Sequence, residues 1–376
     1  MVLVGVLLLL ANASAASAGR LIATGHDFDC HAGGANCSTT GQEHFLIVSV
    51  AFVRAGAPDP SKPVHDLSCN TSDSSASDLE KVLQTNYGSS LPRTNMCPSS
   101  PAFASEPLTT DRYSAILVGS SCHDGHRYSL NNNCEGTSGT TPDSDALNAR
   151  SADIAAFFNQ GGGVLALAGA NSGNGDPSDG PDTYYNFVPI GIGGKVVNPP
   201  FKLTDAGRLM GIEDSHNGIG THDDINCCET HNSFVEPPAG SPLQVAERDS
   251  TGAPETLVVG NGQIQNGSFV GQSDYPGGSN PLGLPSPKKC VDKRKFRFRI
   301  HQPRTGSVRR VDVFINGKRK QSISGNPVNQ VAIKRLPVKG KYKVKIIAFT
   351  TNLTQTISTR TYRACKKGKV RTHVHK

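Results

Sequence analysis

Three short segments of the sequence concentrate the residue types that bind metal ions or transfer protons. The first contains His26, Asp27, Asp29 and His31 within six positions. Imidazole nitrogens and carboxylate oxygens are common ligands of divalent metals, and the same groups serve as general acids and bases. We therefore take His26, Asp29 and His31 as candidate metal ligands, and His26 and Asp27 as candidate catalytic residues. The alternative is a polar loop held by a disulfide at Cys30.

The second segment places a cysteine directly before a histidine, Cys122 and His123. A thiolate beside an imidazole can act as a nucleophile, so one interpretation is a thiol enzyme. If the protein is exported, the other interpretation is favoured, a disulfide at Cys122, because exposed thiols oxidise outside the cell.

The third segment, residues 221–232, carries His, Asp, Glu and Cys at high density. Asp224 and His231 are its candidate catalytic residues, because a carboxylate and an imidazole that face one crevice can exchange protons with a substrate. A disulfide-pinned loop with hydrogen-bonded histidines is the alternative. The order of the residues matches no diagnostic motif, so only their density supports the prediction.

The apolar pattern predicts the scaffold that must position these segments. Continuous apolar runs predict strands at residues 21–24, 114–119, 164–168, 243–247 and 256–259. Apolar positions at helical spacing predict helices at residues 44–55, 78–87 and 145–160. Buried strands that alternate with helices predict an α/β domain with a mostly parallel, layered sheet over residues 19–262. Ligands bind beyond the carboxyl ends of such strands, which is where the three segments fall.

The pattern changes after the predicted sheet. Residues 263–289 are rich in Gly, Ser, Asn and Pro, which predicts a linker. Over residues 290–365, apolar residues alternate with Lys and Arg at the period of a strand, and Asn316-Gly317 is a strong hairpin signal. About six such strands predict an all-β, Ig-like sandwich. A basic tail follows over residues 366–376.

Charge divides the chain in the same place. Residues 288–376 contain 26 Lys and Arg against 2 acids, a net charge of +24, whereas the remaining residues carry 12 Lys and Arg against 29 acids, a net charge of −17. Such a basic domain predicts attachment to an anionic polymer, with a merely solubilising charged face as the alternative. Nucleic acid is disfavoured as the partner, because the chain has no Trp and few aromatic residues for base stacking. Contact with the acidic first domain is a further expectation, since opposite fields attract.

The N-terminus and the cysteines indicate export. Residues 1–18 read as a secretory signal peptide, an apolar run followed by the small-residue site Ala16-Ser17-Ala18. No apolar run reaches the roughly eighteen residues of a transmembrane helix, so we expect a protein that is secreted or associated with the cell envelope. The chain has ten Cys, and an even number in an exported protein predicts disulfides. The expected pairs are Cys30–Cys37, Cys69–Cys97, Cys122–Cys134 and Cys290–Cys365, with Cys227 and Cys228 ambiguous.

One stretch carries a family resemblance. Residues 153–170, DIAAFFNQGGGVLALAGA, resemble the helix, Gly-rich turn, strand and elbow of class I glutamine amidotransferase-like proteins, including the ThuA-like branch. The opening strand and the segments at residues 203–211 and 230–234 look like the same fold, so the resemblance covers about residues 20–262. In that family the elbow carries a nucleophilic cysteine. The resemblance puts Ala168 at this position, which implies that amidotransferase chemistry is absent there.

The elbow and the strand-end segments together supply the candidate ligand-binding residues. These are Cys122, His123, Ala168, Gly169, Asn171 and Asn232. The basic sandwich resembles, in architecture only, the Ig-like modules appended to bacterial secreted proteins.

The expected function is that of a secreted binding or accessory protein. Its first domain, lacking the nucleophile, would recognise a small polar ligand such as a carbohydrate. Its basic sandwich would attach to anionic cell-wall or surface polymers. The alternative is a secreted hydrolase built on His26, Asp27, Asp224 and His231, with or without a divalent metal as cofactor.

Overall fold

The computed structural model describes two β-rich regions, which we call the mixed-sheet unit and the sandwich unit. The mixed-sheet unit comprises the described residues from 18 to 271, and the sandwich unit those from 295 to 364. The described residues are 18–31, 39–68, 78–98, 100–120, 142–167, 185–194, 197–226, 230, 232–271, 281–286, 295–304, 306–337 and 339–364. Among them, no helix has the length and apolar character needed to cross a membrane.

The mixed-sheet unit alternates strands and helices through its first half. Its helices are α1 (Phe28–His31), α2 (Thr39–Arg54), α3 (Asp78–Tyr87), α4 (Pro142–Ala149), α5 (Ser151–Asn159) and α6 (Asp205–Met210). Its strands are β1 (Gly19–Thr24), β2 (Val64–Asp66), β3 (Arg93–Asn95), β4 (Ala115–Val118), β5 (Gly163–Ala166), β6 (Ile192–Gly194), β7 (Lys202–Leu203), β8 (Ser233–Phe234), β9 (Gln244–Arg248), β10 (Pro254–Gln265) and β11 (Ser268–Gly271).

The main sheet is mixed rather than mostly parallel. Its strand order is β3-β2-β4-β5-β1-β10-β9-β7, with β11 also paired to β10. The pairs from β3 to β1 are parallel, whereas β10 runs antiparallel to β1, β9 and β11. The antiparallel half follows from short connections. Only residues 249–253 join β9 to β10, far fewer than the dozen or so residues that a parallel crossover needs.

The sheet is buried on both faces. Successive residues of β1 point to opposite sides, as strand geometry requires. Ile22 belongs to the apolar cluster that contains Phe45 and Val53 of α2. Leu21 belongs to the cluster on the other side, with Phe157 of α5. This double burial explains why β1, β4 and β5 are continuous apolar runs in the sequence.

The mixed sheet extends nine residues beyond its predicted end. Strand β10 continues past residue 262, and the hairpin to β11 occupies the first part of the predicted linker. The hairpin turn is Asn266-Gly267, with φ of 50° and 67°. An Asn-Gly pair with two positive φ values matches the right-handed twist of the flanking strands. The Gly- and Ser-rich composition around this turn led to the incorrect linker boundary.

The helix predicted over residues 145–160 is two helices. Arg150 leaves the helical region between α4 and α5, with a φ of −106°. Its guanidinium donates a hydrogen bond of 2.6 Å to the carbonyl oxygen of Phe103 and one of 2.9 Å to the carboxylate of Asp153. These contacts stabilise the interruption between α4 and α5.

The sandwich unit contains six described strands in two sheets. They are β12 (Lys295–Arg299), β13 (Val308–Ile315), β14 (Lys318–Ser324), β15 (Gln330–Lys334), β16 (Lys341–Thr350) and β17 (Gln355–Arg363). One sheet pairs β12 with β15, and the other has the order β14-β13-β16-β17. Side chains from both sheets form one apolar core. The predicted turn at Asn316-Gly317 is confirmed, with φ of 50° and 82°.

The two units are in direct contact. Arg310 Nη2 lies 2.8 Å from Asp205 Oδ2 at the start of α6, which pairs the basic unit with the acidic one. Arg20 of β1 donates a short hydrogen bond to Asn352 Oδ1. A side chain at Gly260 would begin 1.8 Å from the carbonyl oxygen of Asn352, so glycine permits this close approach.

Candidate functional site

A buried histidine–carboxylate pair lies beyond the carboxyl end of β1. His26 Nε2 is 2.9 Å from Glu247 Oε1, and both side chains are fully buried. The Thr256 hydroxyl donates 2.7 Å to Glu247 Oε2 and lies 2.9 Å from the Thr24 hydroxyl. The imidazole stacks on the Phe28 ring at 4.2 Å. The carboxylate therefore fixes the orientation of an imidazole that the apolar core surrounds.

A second buried acid, Glu255, adjoins this pair. Glu255 lies in β10, and its carbonyl oxygen accepts the Gly25 N–H at 2.9 Å. Burial, and after it repulsion from the Glu247 carboxylate, raises the pKa of Glu255 from 4.5 to about 9. Glu255 is therefore protonated at neutral pH.

Replacing Glu255 by glutamine should remove a pH-dependent cost of folding. The unfolded carboxyl ionises near pH 4.5, whereas the folded one has a pKa of about 9. Folding at intermediate pH thus requires proton uptake, and stability falls as pH rises between these values. We expect Glu255→Gln to melt above the parent at pH 8 and close to it at pH 4. Thermal unfolding at pH 4, 6 and 8 measures this, and a difference that is constant with pH would contradict it.

Buried carboxylates also accept hydrogen bonds at the carboxyl ends of β2, β3 and β4. Asp29 Oδ2 accepts the Ser120 N–H at 2.9 Å. Asp66 Oδ1 accepts the Ser68 N–H at 2.8 Å, and Asp66 Oδ2 accepts from Asn95 Nδ2 at 3.0 Å. Burial raises the pKa of Asp66 to about 6 despite these hydrogen bonds. The edge at which ligands were expected is thus rich in buried acidic groups.

Asn232 lies at the same edge, beside β1 and β5. The Tyr185 hydroxyl donates to the carbonyl oxygens of Leu167 at 2.8 Å and Thr24 at 3.1 Å, and lies 3.4 Å from Asn232 Oδ1. A Cβ at Gly25 would lie 1.8 Å from the Asn232 carbonyl oxygen, so this loop packs directly on the end of β1.

A second histidine cluster lies between α2 and the loop that follows α6. His44 Nδ1 is 2.8 Å from Asp224 Oδ2, and the same carboxylate accepts the Glu213 N–H at 2.8 Å. His222 Nδ1 is 2.9 Å from Glu213 Oε2. The rings of His44 and His222 stack at 4.2 Å with an interplanar angle of 10°. We call His44, Glu213, His222 and Asp224 the two-histidine cluster.

Local sequence explains why this cluster forms. Gly41 in the first turns of α2 lets the loop approach the helix, since a Cβ there would lie 1.9 Å from the Asp223 carbonyl oxygen. Within the loop, Asp214 caps a short turn by accepting the Asn217 N–H, and Gly218 adopts a left-handed φ of 70°. The loop is therefore folded back on itself and held against α2.

The pKa values of the two carboxylates in the cluster are shifted in opposite directions. Burial raises the pKa of Asp224 to about 6, although hydrogen bonds from Glu213 and His44 oppose the shift. Hydrogen bonds from the backbone N–H groups of His222 and Thr221 lower the pKa of Glu213 to about 2. Glu213 is therefore ionised at any physiological pH.

The described residues contain two groups of three side chains with the spacing of metal ligands. One is His44, Glu213 and His222, and the other is Asp214, His216 and Asp223. The predicted ligands His26 and Asp29 belong to neither group, because they bind Glu247 and the Ser120 N–H instead. His31 ends α1, and its side chain is not among the described ones. The metal assignment to these three residues stays a prediction.

Three of the candidate catalytic residues lie within the described part of the chain. His26 and Asp27 are buried at the end of β1, whereas Asp224 is buried against α2. Several other predicted positions lie outside the described residues: His231, Cys122, His123, Ala168, Gly169, Asn171, Cys37, Cys69, Cys134, Cys290 and Cys365. Cys30 lies in α1 without a described side chain. Cys97 is disulfide-bonded, and its pairing with Cys69 stays a prediction.

Sequence reasoning missed His44 and Glu213. His44 precedes the apolar face of α2 and reads there as an ordinary polar helix residue. Glu213 lies outside the dense segment that contains Asp224. The available signal was the pair of His- and acid-containing stretches at residues 213–216 and 222–224. Nothing local indicates that they fold onto a helix about 170 residues earlier.

A basic surface covers the outer face of the four-stranded sheet of the sandwich unit. Lys341 and Lys343 of β16 are exposed, and Lys345 is half-buried with its Nζ 5.8 Å from the centre of the Phe314 ring. Arg319 of β14 stands opposite Phe314 of β13, and Arg363 of β17 stands opposite Lys341 of β16. We call Lys341, Lys343, Lys345, Arg319 and Arg363 the basic face.

The described part of the sandwich unit has no exposed acid to neutralise this face. The one acidic residue in this described part is Asp312, whose exposed fraction is 5%. The Ser322 hydroxyl donates 2.6 Å to Asp312 Oδ1, and Arg310 Nε lies 3.7 Å from that oxygen. Arg319 Nη1 of the basic face lies 4.0 Å from Asp312 Oδ2, so this buried acid partly offsets the charge of Arg319. The exposed charged side chains of the face are all cationic.

Comparison with known proteins gives no family. The chain matches no protein-family model and no curated protein. Solved structures with local similarity include the fibronectin(III)-like modules of CbhA from Clostridium thermocellum, at 15% identity over 22% of this chain and 92% of that one, with a TM-score of 0.19. The central fibronectin-III array of RIM-binding protein matches at 13% identity over 24% of this chain and 32% of that one, with a TM-score of 0.17.

A longer but equally weak match is the spore cortex lytic enzyme SleM of Clostridium perfringens. It covers 76% of this chain and 72% of that one at 11% identity, with a TM-score of 0.21. The description of the sandwich unit therefore rests on its own strands, and functional conclusions rest on the residues themselves.

Proposed function

We propose that this chain is a secreted binding protein that attaches through the basic face of its sandwich unit to anionic cell-envelope polymers. Its first unit, with the glutamine amidotransferase-like fold that the sequence resembles, would recognise a small polar ligand such as a carbohydrate. Residues 1–18 would be removed on export.

The concentration of cations on the basic face is the observation that carries this proposal. Lys341 and Arg363 stand directly opposite each other on neighbouring strands. Like charges at such positions cost stability by some tenths of a kcal/mol. A bound polyanion relieves this repulsion and releases its own counterions, so the arrangement favours association with a polymer.

An aromatic ring beside the basic face would add recognition of the polymer backbone. The Phe314 ring lies under Lys345 and opposite Arg319. An aromatic surface among cations suits a polymer that alternates apolar carbon and anionic groups, because each part finds a complementary partner. We take poly(glycerol phosphate) as the simplest polymer of this class.

The polar edge of the mixed sheet supports the second half of the proposal. Asn232 and Tyr185 stand at the ends of β1 and β5, with the buried acids Asp29 and Asp66 at the same edge. Convergent polar groups at the carboxyl ends of strands are where small ligands bind in sheets of this kind.

Binding of the full chain to immobilised poly(glycerol phosphate) tests the proposal. We expect retention at about 50 mM salt that is lost at about 500 mM, since screening shortens the reach of surface charge. Neutral dextran is the control and should retain nothing. Equal retention on dextran, or tighter binding to single-stranded DNA of equal charge, would overturn the proposal.

A second candidate function is a hydrolase, favoured by the pairing of Asp224 with His44 at 2.8 Å. A carboxylate that orients an imidazole is a recurring arrangement for a general base. Turnover of a polysaccharide or peptide that is lost in Asp224→Asn would favour this function over simple binding.

A further inference from the structure

We propose that His44, Glu213 and His222 bind a zinc ion, with Asp224 as the positioning residue behind His44. This inference is independent of polymer attachment, because it concerns a different unit and a different ligand.

The donor set fits zinc. Each of the three side chains offers one donor atom, and these atoms lie within 4.8 Å of one another. Ligand atoms about 2.0–2.2 Å from a tetrahedral zinc stand roughly 3.5 Å apart, so donor atoms at the 4.8 Å limit would need to approach by only about 1 Å. His222 is 36% exposed and can supply this movement by rotation of its ring. Two imidazoles and one carboxylate form a donor set that binds zinc in preference to Mg²⁺ or Ca²⁺, which prefer oxygen ligands alone.

Asp224 prepares His44 to act as a ligand. Its carboxylate is fully buried and lies 2.8 Å from His44 Nδ1. An N–H donated from Nδ1 leaves the lone pair on Nε2, which is the nitrogen available to a metal. A carboxylate behind a ligating histidine is the usual outer contact of protein zinc sites, where it fixes the tautomer and the ring orientation.

Glu213 is held in place by the loop itself. Its Oε2 accepts the N–H groups of Thr221 at 2.7 Å and His222 at 2.9 Å. His222 Nδ1 also lies 2.9 Å from Oε2, and rotation of the His222 ring would break this contact on metal binding. None of these three contacts uses Oε1, which leaves that oxygen for the ion. The carboxylate is thus ordered before a metal arrives, which lowers the entropic cost of binding.

The three proposed ligands leave one position of a tetrahedral ion for water or for an oxygen of a bound molecule. The side chains of His44 and Glu213 are 24% and 27% exposed, so the site opens to solvent. This is the arrangement of a site that binds exchangeable ligands rather than of a closed structural zinc.

The neighbouring group of Asp214, His216 and Asp223 is a weaker candidate. Asp214 Oδ1 and Oδ2 accept from Asn217 N and Asn217 Nδ2, at 3.2 and 2.7 Å. Asp223 Oδ1 accepts from Asn226 Nδ2 at 2.9 Å. These carboxylates hold the loop together, so zinc would have to displace them from structural contacts. His216 therefore provides a matched control on the same loop.

Calorimetric titration of the full chain with zinc chloride, after removal of metals with a chelator, tests the proposal. We expect one zinc per chain for the parent and for His216→Ala. His222→Ala and Glu213→Gln should lose this binding event, and circular dichroism should confirm that both remain folded. Asp224→Asn should weaken binding about 10- to 100-fold, because it removes the group that orients His44.

Cobalt(II) separates this site from the cysteines and other histidines of the chain. We expect a tetrahedral visible spectrum without the intense sulfur-to-metal band that a thiolate ligand gives. Binding that survives in His222→Ala, is lost in His216→Ala, or shows a thiolate band would overturn the proposal. A preference for Mg²⁺ or Ca²⁺ over zinc would overturn it as well.

Discussion

Replacing Lys341, Lys343 and Lys345 together with glutamate should weaken binding to poly(glycerol phosphate) by at least about 100-fold. Each Lys near an anionic surface contributes about 1 kcal/mol, so loss of three removes about 3 kcal/mol before added repulsion is counted. The first two side chains are exposed and the third is half-buried, so the substitutions leave the core unchanged. Binding isotherms at about 50 mM salt measure the effect.

The opposite sheet provides a control with the same change of charge. Arg297 and Arg299 of β12 and Lys334 of β15 are exposed on the other side of the sandwich. Replacing these three with glutamate should weaken binding by less than about 10-fold, through the long-range field alone. Equal losses in the two triple variants would mean that net charge, and not the basic face, determines attachment.

Gly41→Ala should destabilise the mixed-sheet unit by about 3 kcal/mol or more and separate His44 from Asp224. The new Cβ would lie 1.9 Å from the Asp223 carbonyl oxygen, and a backbone atom cannot rotate away. Overpacking of this kind costs about 1–3 kcal/mol, and more where backbone must shift. Alanine favours a helix over glycine by about 1 kcal/mol, so any net loss must come from this contact. Urea unfolding measures it.

Gly218→Ala is the matched control, on the loop that Gly41 contacts. Gly218 has a left-handed φ of 70°, and a Cβ added there would meet no heavy atom within 4 Å. Its replacement should cost about 1–2 kcal/mol, from backbone strain alone. A loss at Gly41 no greater than that at Gly218 would contradict the proposed packing of the loop on α2.

Some of the fold can be predicted from local pattern. The strands β1, β4 and β5 are buried on both faces, and their continuous apolar runs are visible in the sequence. The Asn316-Gly317 turn and the alternating Lys and apolar residues of β16 likewise follow from rules that act over a few residues. Charge asymmetry between the two units is a matter of counting.

Other features depend on contacts between distant residues. The antiparallel direction of β9 and β10 follows from the short connection between them. The apolar pattern predicts the two strands but not their relative direction. The Asn266-Gly267 turn carries the same signal as the correctly predicted one, and its Gly-rich surroundings obscured it. Glu247 and Glu255 read as ordinary strand residues, yet both are buried beside the end of β1.

The candidate sites likewise combine features that the local sequence predicts with features that depend on distant contacts. Density of His and Asp drew attention to Asp224, which lies in the two-histidine cluster. His44 joins it only because Gly41 admits the loop to the surface of α2. A single glycine near the start of a helix gives no sign of what approaches it.

Lysine acetylation of the full chain, with and without poly(glycerol phosphate), tests the central claim most directly. Mass spectrometry then reports which lysines the polymer protects. We predict protection of Lys341, Lys343 and Lys345, with Lys334 and Lys202 modified at unchanged rates. Protection spread evenly over all five, or centred on Lys334, would contradict attachment through the basic face.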